Sequence, residues 1–303
     1  MKLIQINQDL CIKCGICVKA CVSRIFHQRK PGTNIKAINT RACIDCGHCV
    51  AVCPQSAISH NRIDGEFRKI ENYKYDEKLI EEFLSSKRSV RNFTNQPIDK
   101  ETIQKILHAS FYAPSATNKR ARNFIVMTDP DKIREIEEKI IHYFEFVLKF
   151  AHPLVIGTLS FFSKTVRKLS KTYIPAMKGM VWSFRNKGES PIFKGAPCVI
   201  FAYGPANNQM SKDDSVACQH YSMLKAHSLG IGSCVIGFAD LTQKKFIDLL
   251  PIDKEQKLYA ITTFGYPQFN YKMTTPKKSA EVQWIEEIIM PETPVYEADK
   301  DIE

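Results

Sequence analysis

No stretch of this sequence stays apolar for the ~20 residues that a membrane-spanning helix requires. The nearest approach, FEFVLKFAHPLVIGTLSFF at 144–162, is broken by Glu145, Lys149, His152 and Pro153, so no membrane role is expected. The opening residues, MKLIQINQDLC, lack the apolar core and small-residue cleavage site of a secretory leader. That argues against a disulfide scaffold and makes a reducing cytoplasm the expected location. Acidic residues are the scarcer charge, 32 against 43 Lys and Arg, for a formal net charge of +11. An excess of this size can mark a nucleic-acid surface. No helix-turn-helix or zinc-finger pattern accompanies it, however, and no nucleic-acid partner is expected. No Ser-His-Asp set is discernible either.

Cysteine is abundant, but at one end only. Eight of the eleven fall in the first 53 residues. Cys198 and Cys234 sit singly among apolar neighbours and read as buried thiols acting as small hydrophobes. The eight form an internal repeat at a constant offset of 32, pairing Cys11 with Cys43, Cys14 with Cys46, Cys17 with Cys49 and Cys21 with Cys53. Duplication is the simplest origin. Three thiolates at CxxCxxC can wrap the corners of one iron-sulfur cube, while a fourth cysteine, after three more residues, closes the partner cube. The spacing therefore assigns Cys11, Cys14, Cys17 and Cys53 to one [4Fe-4S] cluster, and Cys43, Cys46, Cys49 and Cys21 to another. Zinc is also held by four cysteines, but its ribbons and fingers present two separated CxxC pairs. Gly15 and Gly47 permit the tight backbone wrap. Between the halves, RKPGTNIK at 29–36 is a turn flanked by segments able to pair as a hairpin.

This cluster assignment also accounts for the charge. Residues 1–75 hold 12 basic against 5 acidic side chains, and the remainder 31 against 27. Two oxidised cubes with their thiolates contribute about −2 each and a phosphorylated cofactor about two more, so the net positive charge becomes modest, and basic residues offsetting bound anions are preferred to a DNA-binding face.

The polar segment SHNRIDGEFRKIENYKY, 59–75, reads as a linker, dividing the chain into domains at 1–73 and 74–303. Beyond it, helices alternate with short strands. Leu79, Ile80, Phe83 and Leu84 form one helical stripe; Ile103, Ile106, Leu107 and Phe111 form another, capped by Asp99 and closed before Pro114. Asp129 and Pro130 open a helix carrying Ile133, Ile136, Ile140 and Phe144. Strands are expected at 123–128, 198–203 and 258–264, with a helix from about Asp214 to Gly230. The pattern over 150–195 assigns no element.

Arg88, Ser89 and Arg91 place two guanidinium forks and a hydroxyl within four residues, a good donor set for a phosphate. Equally, Lys87, Arg88 and Arg91 follow a helix end, where basic side chains offset the macrodipole. GIGSCVIG begins like a dinucleotide fingerprint, but it follows a helix and lacks the third glycine, so no Rossmann site is expected. His220 and His227, seven residues apart, are too widely spaced for a compact metal pair.

Residues 1 to about 60 resemble bacterial 2[4Fe-4S] ferredoxins, including Pro54 after the last cysteine, with Val22 where that family usually has proline. The remainder, about 76–290, resembles the nitroreductase family of FMN enzymes. RSVRNF (88–93) is similar to its amino-terminal phosphate motif, which implies phosphate contacts from Arg88, Ser89 and Arg91. In APSATNKRARNFIVMT (113–128), Ser115 and Asn118 match flavin-contacting positions. LGIGSCVIGF (229–238) resembles the loop whose backbone, at Ile236 and Gly237, lies along the flavin ring, and FGYP (264–267) ends the last core strand. Basic residues completing the phosphate site map to Lys277 or Lys278. Lys119, Arg120, Ala121 and Arg122 depart from the glutamine, proline and tryptophan often found there. The resemblance implies an α+β protein with a two-cluster ferredoxin-like domain followed by a nitroreductase-like α/β flavin domain. It also implies a homodimer with FMN between subunits, a reduced ferredoxin or NAD(P)H as donor, and a small electron-poor acceptor. Two alternatives remain open: a module relaying electrons to, or sensing redox state for, a protein partner, and an enzyme of narrower biosynthetic or reductive-dehalogenation purpose.

Overall fold

The computed structural model describes residues 2–70, 75–151 and 164–285. Contacts divide the chain into a unit of residues 1–270 and a second of 271–303. In the second unit, 271–285 contain no helix or strand. The expected boundary at 73/74, and most of the apolar stretch 144–162, lie outside the described residues. Among the described residues no helix is long and apolar enough to cross a membrane.

The cysteine-rich region runs β1 (Ile4–Ile6), α1 (Ile16–Ala20), β2 (Phe26–Gln28), β3 (Ile35–Ala37), α2 (His48–Ala51) and β4 (Ile58–His60). The anticipated hairpin is present: β2 pairs antiparallel with β3, Phe26 opposite Ala37, with Gly32 turning the chain at φ 80°. β1 pairs antiparallel with β4, Ile4 opposite His60. The duplication is written into the backbone as well as the cysteines. Left-handed residues recur 32 apart: Lys13 and Asp45 at φ 59° and 53°, Gly15 and Gly47 at 74° and 73°, Arg24 and Ser56 at 48° and 47°. Four of these six are not glycine, so each carries a steric cost that its surroundings must offset. Ile4, Ile25, Phe26, Ile35 and Ile58 form a small core with Cys17 and Cys49.

The rest of the first unit runs α3 (Glu77–Ser86), α4 (Lys100–Ser110), β5 (Asn123–Met127), α5 (Pro130–Phe150), α6 (Lys164–Lys187), β6 (Cys198–Pro205), α7 (Ser211–Ser228), β7 (Gly232–Val235), α8 (Gly237–Thr242) and β8 (Gln256–Gly265). One four-stranded sheet, ordered β5-β6-β8-β7, has every neighbour antiparallel. Both of its faces are covered. Along β6 the side chains alternate, Cys198 and Ile200 packing with Ile103 and Ile106 of α4 and Met223 of α7. Val199 and Phe201 pack on the other face with Ile133, Ile136, Ile140 and Phe144 of α5. A strand buried on both faces reads as a continuous apolar run, as CVIFAY does.

Asp99 Oδ1 accepts from the Thr102 N–H at 2.7 Å, and Asp129 Oδ1 from those of Asp131 and Lys132 at 3.0 and 3.3 Å, so both expected caps form. Phe111 departs from its stripe, being 57% exposed just past the end of α4. In the span that sequence pattern leaves blank, α6 carries Pro175 inside a helix. α7 begins three residues before Asp214 and ends as expected, Gly230 at φ 72° allowing the Ile231 N–H to reach the Ala226 carbonyl. β7 is a strand where a glycine-containing loop was anticipated. In the apolar stripe of α3, Leu79, Ile80 and Leu84 are exposed and Phe83 is half-buried against His227, with no residue of that helix fully buried.

Glu137 of α5 is 1% exposed and accepts, through Oε1, the backbone N–H groups of Ile192 and Phe193, both at 2.9 Å. Burial pushes its carboxyl above the usual range. Glu137→Ala leaves two buried donors unpaired, an expected loss of roughly 2–5 kcal/mol in urea unfolding. Glu137→Gln keeps the acceptor and costs less. Because the folded state holds the Glu137 proton more tightly than the unfolded state, wild-type protein loses stability relative to Glu137→Gln as pH rises through the raised pKa. A constant difference across that range would contradict the assignment.

Candidate functional site

The eight amino-terminal cysteines fall into two groups of four. Cys11, Cys14, Cys17 and Cys53 line one cavity, with Ile6, Ile12 and Pro54 among its walls. Cys21, Cys43, Cys46 and Cys49 line the other, with Phe26 and His60. Each group takes three cysteines from one half of the repeat and the fourth from the other half, the exchange anticipated from spacing. Burial pushes the thiols of Cys17 and Cys43 up, and that of Cys49 to about 11. A thiolate at such a site needs a cation, so the donor chemistry fits a metal-sulfur guest. Backbone amides support it, Ala57 N–H reaching Cys53 Sγ at 3.3 Å and Asp45 N–H reaching Cys43 Sγ at 3.4 Å. The ligand atoms of Cys43, Asp45 and His60 also lie within 4.8 Å of one another. His60 was not foreseen.

Arg88, Ser89 and Arg91 lie on extended chain that runs beside β7 as a parallel neighbour, Ser89 bridging Ser233 and the Val90 N–H donating to the Ser233 carbonyl at 3.0 Å. Gly232 makes this approach possible, because a Cβ there would meet Val90 at 2.7 Å. Ile236 and Gly237 directly follow β7, so the same edge carries five of the anticipated residues. The helix-end reading of the basic cluster holds for Lys87, the C-cap of α3, while Arg88 and Arg91 lie beyond it. Burial lowers the pKa of Lys87, and among the described residues no carboxylate offsets it and no hydrogen bond engages it. Lys194, also half-buried with its pKa lowered by burial, feels the charge of Arg91. These two lysines join the candidate phosphate donors; neither lies in a motif that would have disclosed it as one. Nothing stands within 4 Å of where a Cβ of Gly237 would be, and its φ is ordinary. The chain's own packing therefore leaves that face open. Lys277 and Lys278 belong to the second unit.

Ser115 and Asn118 sit in a turn at the end of α4. Thr117, Asn118 and Arg120 are all left-handed, at φ 48°, 55° and 52°. Buried Asp214 of α7 holds the turn by accepting the Ala116 N–H at 3.0 Å, and Ser115 Oγ accepts the Arg120 N–H at 3.1 Å. The Asn118 side chain points into the cysteine-rich region: Nδ2 donates to the carbonyls of Ile44, at 3.0 Å, and Asp45, at 2.8 Å. Those peptides lie between Cys43 and Cys46. Among the described residues no hydrogen bond joins Ser115 or Asn118 to the 88–91 segment.

Comparison with known proteins gives separate matches for the cysteine-rich segment and for the segment that follows it. The nitroreductase family model matches residues 84–266 and a 4Fe-4S dicluster domain model matches residues 3–54. Over 67 residues the chain is 40% identical to iodotyrosine deiodinase 1 of Rattus norvegicus, a match covering 20% of this chain and about a quarter (24%) of that protein's length. An Archaeoglobus fulgidus protein with the provisional name NADH dehydrogenase/NAD(P)H nitroreductase is 24% identical over 187 residues, 61% of this chain and 83% of that one. The fold is that of a Bacteroides fragilis nitroreductase crystallised with FMN, at TM-score 0.52 and 20% identity, covering 70% of this chain and all of that one. With its family match spanning well over half its length, and a 4Fe-4S ferredoxin-type domain ahead of it, this chain belongs to the nitroreductase family and is an oxidoreductase of that type.

Proposed function

We propose that the chain is an iron-sulfur flavoprotein that takes electrons into two [4Fe-4S] clusters, passes them to FMN, and reduces a small electron-poor acceptor such as a nitroaromatic, quinone or activated alkene. When bound, FMN supplies the conversion of single electrons into two-electron reduction of the acceptor. The observation that carries this reading is the bond from Asn118 to the Cys43–Cys46 loop. It joins the loop between two cysteines of one set to the turn that we read as bordering the flavin.

Each side chain has a task in this scheme. The two cysteine sets hold the clusters. Arg88, Ser89 and Arg91, with Lys87 and Lys194, meet the FMN phosphate, whose charge compensates the burial of the lysines. Ile236 and Gly237 lie along the ring, where the open space beside Gly237 gives a flat group room. Ser115 and Asn118 border it. A second copy of the chain covers the FMN: Leu79, Ile80 and Leu84 leave α3 with an exposed apolar stripe suited to a dimer contact. Reduced ferredoxin or NAD(P)H supplies electrons in the cytoplasm, and solvent supplies protons.

Anaerobic reduction followed by visible and electron-paramagnetic-resonance spectroscopy should reveal flavin bands and two interacting low-potential clusters. Absence of either would refute the proposal. The acceptor panel should include a halogenated aromatic, given the deiodinase match. Turnover with reduced ferredoxin and no protein partner distinguishes an enzyme from a relay. Cys14→Ala should remove input from the clusters yet retain FMN, and a folded dimer without flavin would contradict that. Gly232→Val drives a side chain into Val90 and should cut FMN content several-fold, with a cost of about 1–3 kcal/mol in stability. Full occupancy in that variant would show that the 88–91 segment does not hold the phosphate.

A further inference from the structure

The halves of the cysteine repeat share their backbone but differ at a side chain beside one sulfur. Position 60 in the second half corresponds to position 28 in the first, at the offset of 32. Gln28 spends its amide on carbonyls, Nε2 donating to Lys13 O at 2.9 Å and Thr33 O at 3.0 Å. His60 is buried instead against its cysteine set, with Nε2 3.3 Å from Cys43 Sγ. The other ring nitrogen settles the tautomer: Nδ1 accepts the Arg62 backbone N–H at 3.3 Å, so in a neutral ring Nε2 carries the hydrogen. That hydrogen is shared between Cys43 Sγ and Asp45 Oδ1, the latter also 3.3 Å away. The Asp45 charge is met by Arg62, whose Nε and NH2 donate to Oδ1 at 3.0 and 2.8 Å.

A hydrogen bond to a coordinating thiolate withdraws charge from the sulfur. It therefore favours the more negative, reduced cluster and raises its potential. Cys43 Sγ has two such donors, the Asp45 amide and His60, whereas among the described residues Cys11, its repeat partner, has none. The asymmetry falls on the half of the repeat that Asn118 touches. Asn118 grips the Cys43–Cys46 loop, while among the described residues the Cys11–Cys14 loop has no hydrogen bond to anything past residue 75.

We propose that His60 and Asn118 together give the repeat a direction. His60 holds the cluster of Cys21, Cys43, Cys46 and Cys49 at a higher potential than its twin, and Asn118 makes that cluster the exit to the flavin. This rests on the reading that both clusters and FMN bind. With both clusters bound, each electron passing from the Cys11 set to the Cys43 set would oxidise the first, which the donor, reduced ferredoxin or NAD(P)H, would reduce again, and would reduce the second. Two such electrons, delivered onward, make up the pair the acceptor receives, with protons from solvent. His60 acts here as a positioning residue, through the sulfur it touches.

The test is an anaerobic redox titration of the holoenzyme followed by electron paramagnetic resonance. Wild-type protein should show two separate cluster midpoints, and Cys14→Ala, with the first set broken, should keep the higher one. His60→Gln, which installs the repeat partner's residue, should shift the higher midpoint downward and leave the lower in place. Gln28→His should move the lower midpoint upward and narrow the gap. Unchanged flavin absorbance in these two histidine-site variants reports an intact fold. Coincident wild-type midpoints, or a His60→Gln titration matching wild type, would overturn the proposal. A wild-type protein lacking paired clusters or flavin would instead overturn the function on which it rests.

Discussion

Asn118 spends its side-chain amide on two neighbouring peptide carbonyls, those of Ile44 and Asp45, and the proposed route from the cysteine-rich region to the flavin depends on that contact. A single amide directed at two adjacent acceptors sets orientation as well as proximity, which a patch of apolar surface would not. Its own turn is built to deliver it. Thr117, Asn118 and Arg120 all occupy the left-handed region, at a cost on the order of 1–2 kcal/mol each for residues other than glycine. The turn persists because its ends are anchored, at Ala116 by buried Asp214 and at Arg120 by the Ser115 hydroxyl.

The repeat illustrates how duplication and specialisation separate in one structure. Backbone conformation has been kept, since the paired left-handed residues agree within about 6° across the two halves. The cysteines have been kept as well, because each cavity borrows its fourth sulfur from the other half, so losing a cysteine from either half opens one of the two sets. Side chains outside the sulfur cage have been free to diverge. Lys13 stands where the second half has Asp45, and Gln28 where it has His60. The diverged pair of the second half lies against Cys43 Sγ, at the start of the loop that Asn118 engages.

Much of this was legible in the chain, for physical reasons that also explain the gaps. The CxxCxxC spacing foretold the two groups of four because short-range geometry dictates which sulfurs can converge. Asp99 and Asp129 foretold helix starts because a cap is a local hydrogen bond. CVIFAY foretold a strand, and its continuous apolar run reflects burial on both faces. β7 was missed because Gly232 serves the approach of Val90, a contact from 142 residues earlier that leaves no local mark. α6 was missed because Pro175 ordinarily argues against a helix interior. Lys87 and Lys194 were missed as donors because burial makes them notable, and burial is a tertiary property. The Asn118 contact spans more than 70 residues and likewise has no short-range signature. His60 was within reach, since aligning the halves of the repeat exposes it opposite Gln28.

The three left-handed residues around Asn118 have one more implication. Part of what keeps that turn in shape comes from carbonyls in a neighbouring region of the chain, so the segment matched to the nitroreductase family borrows order from the cysteine-rich segment. Such segments are not interchangeable parts. A ferredoxin-type segment grafted from another protein supports this turn only where it sets two carbonyls in the places of those of Ile44 and Asp45.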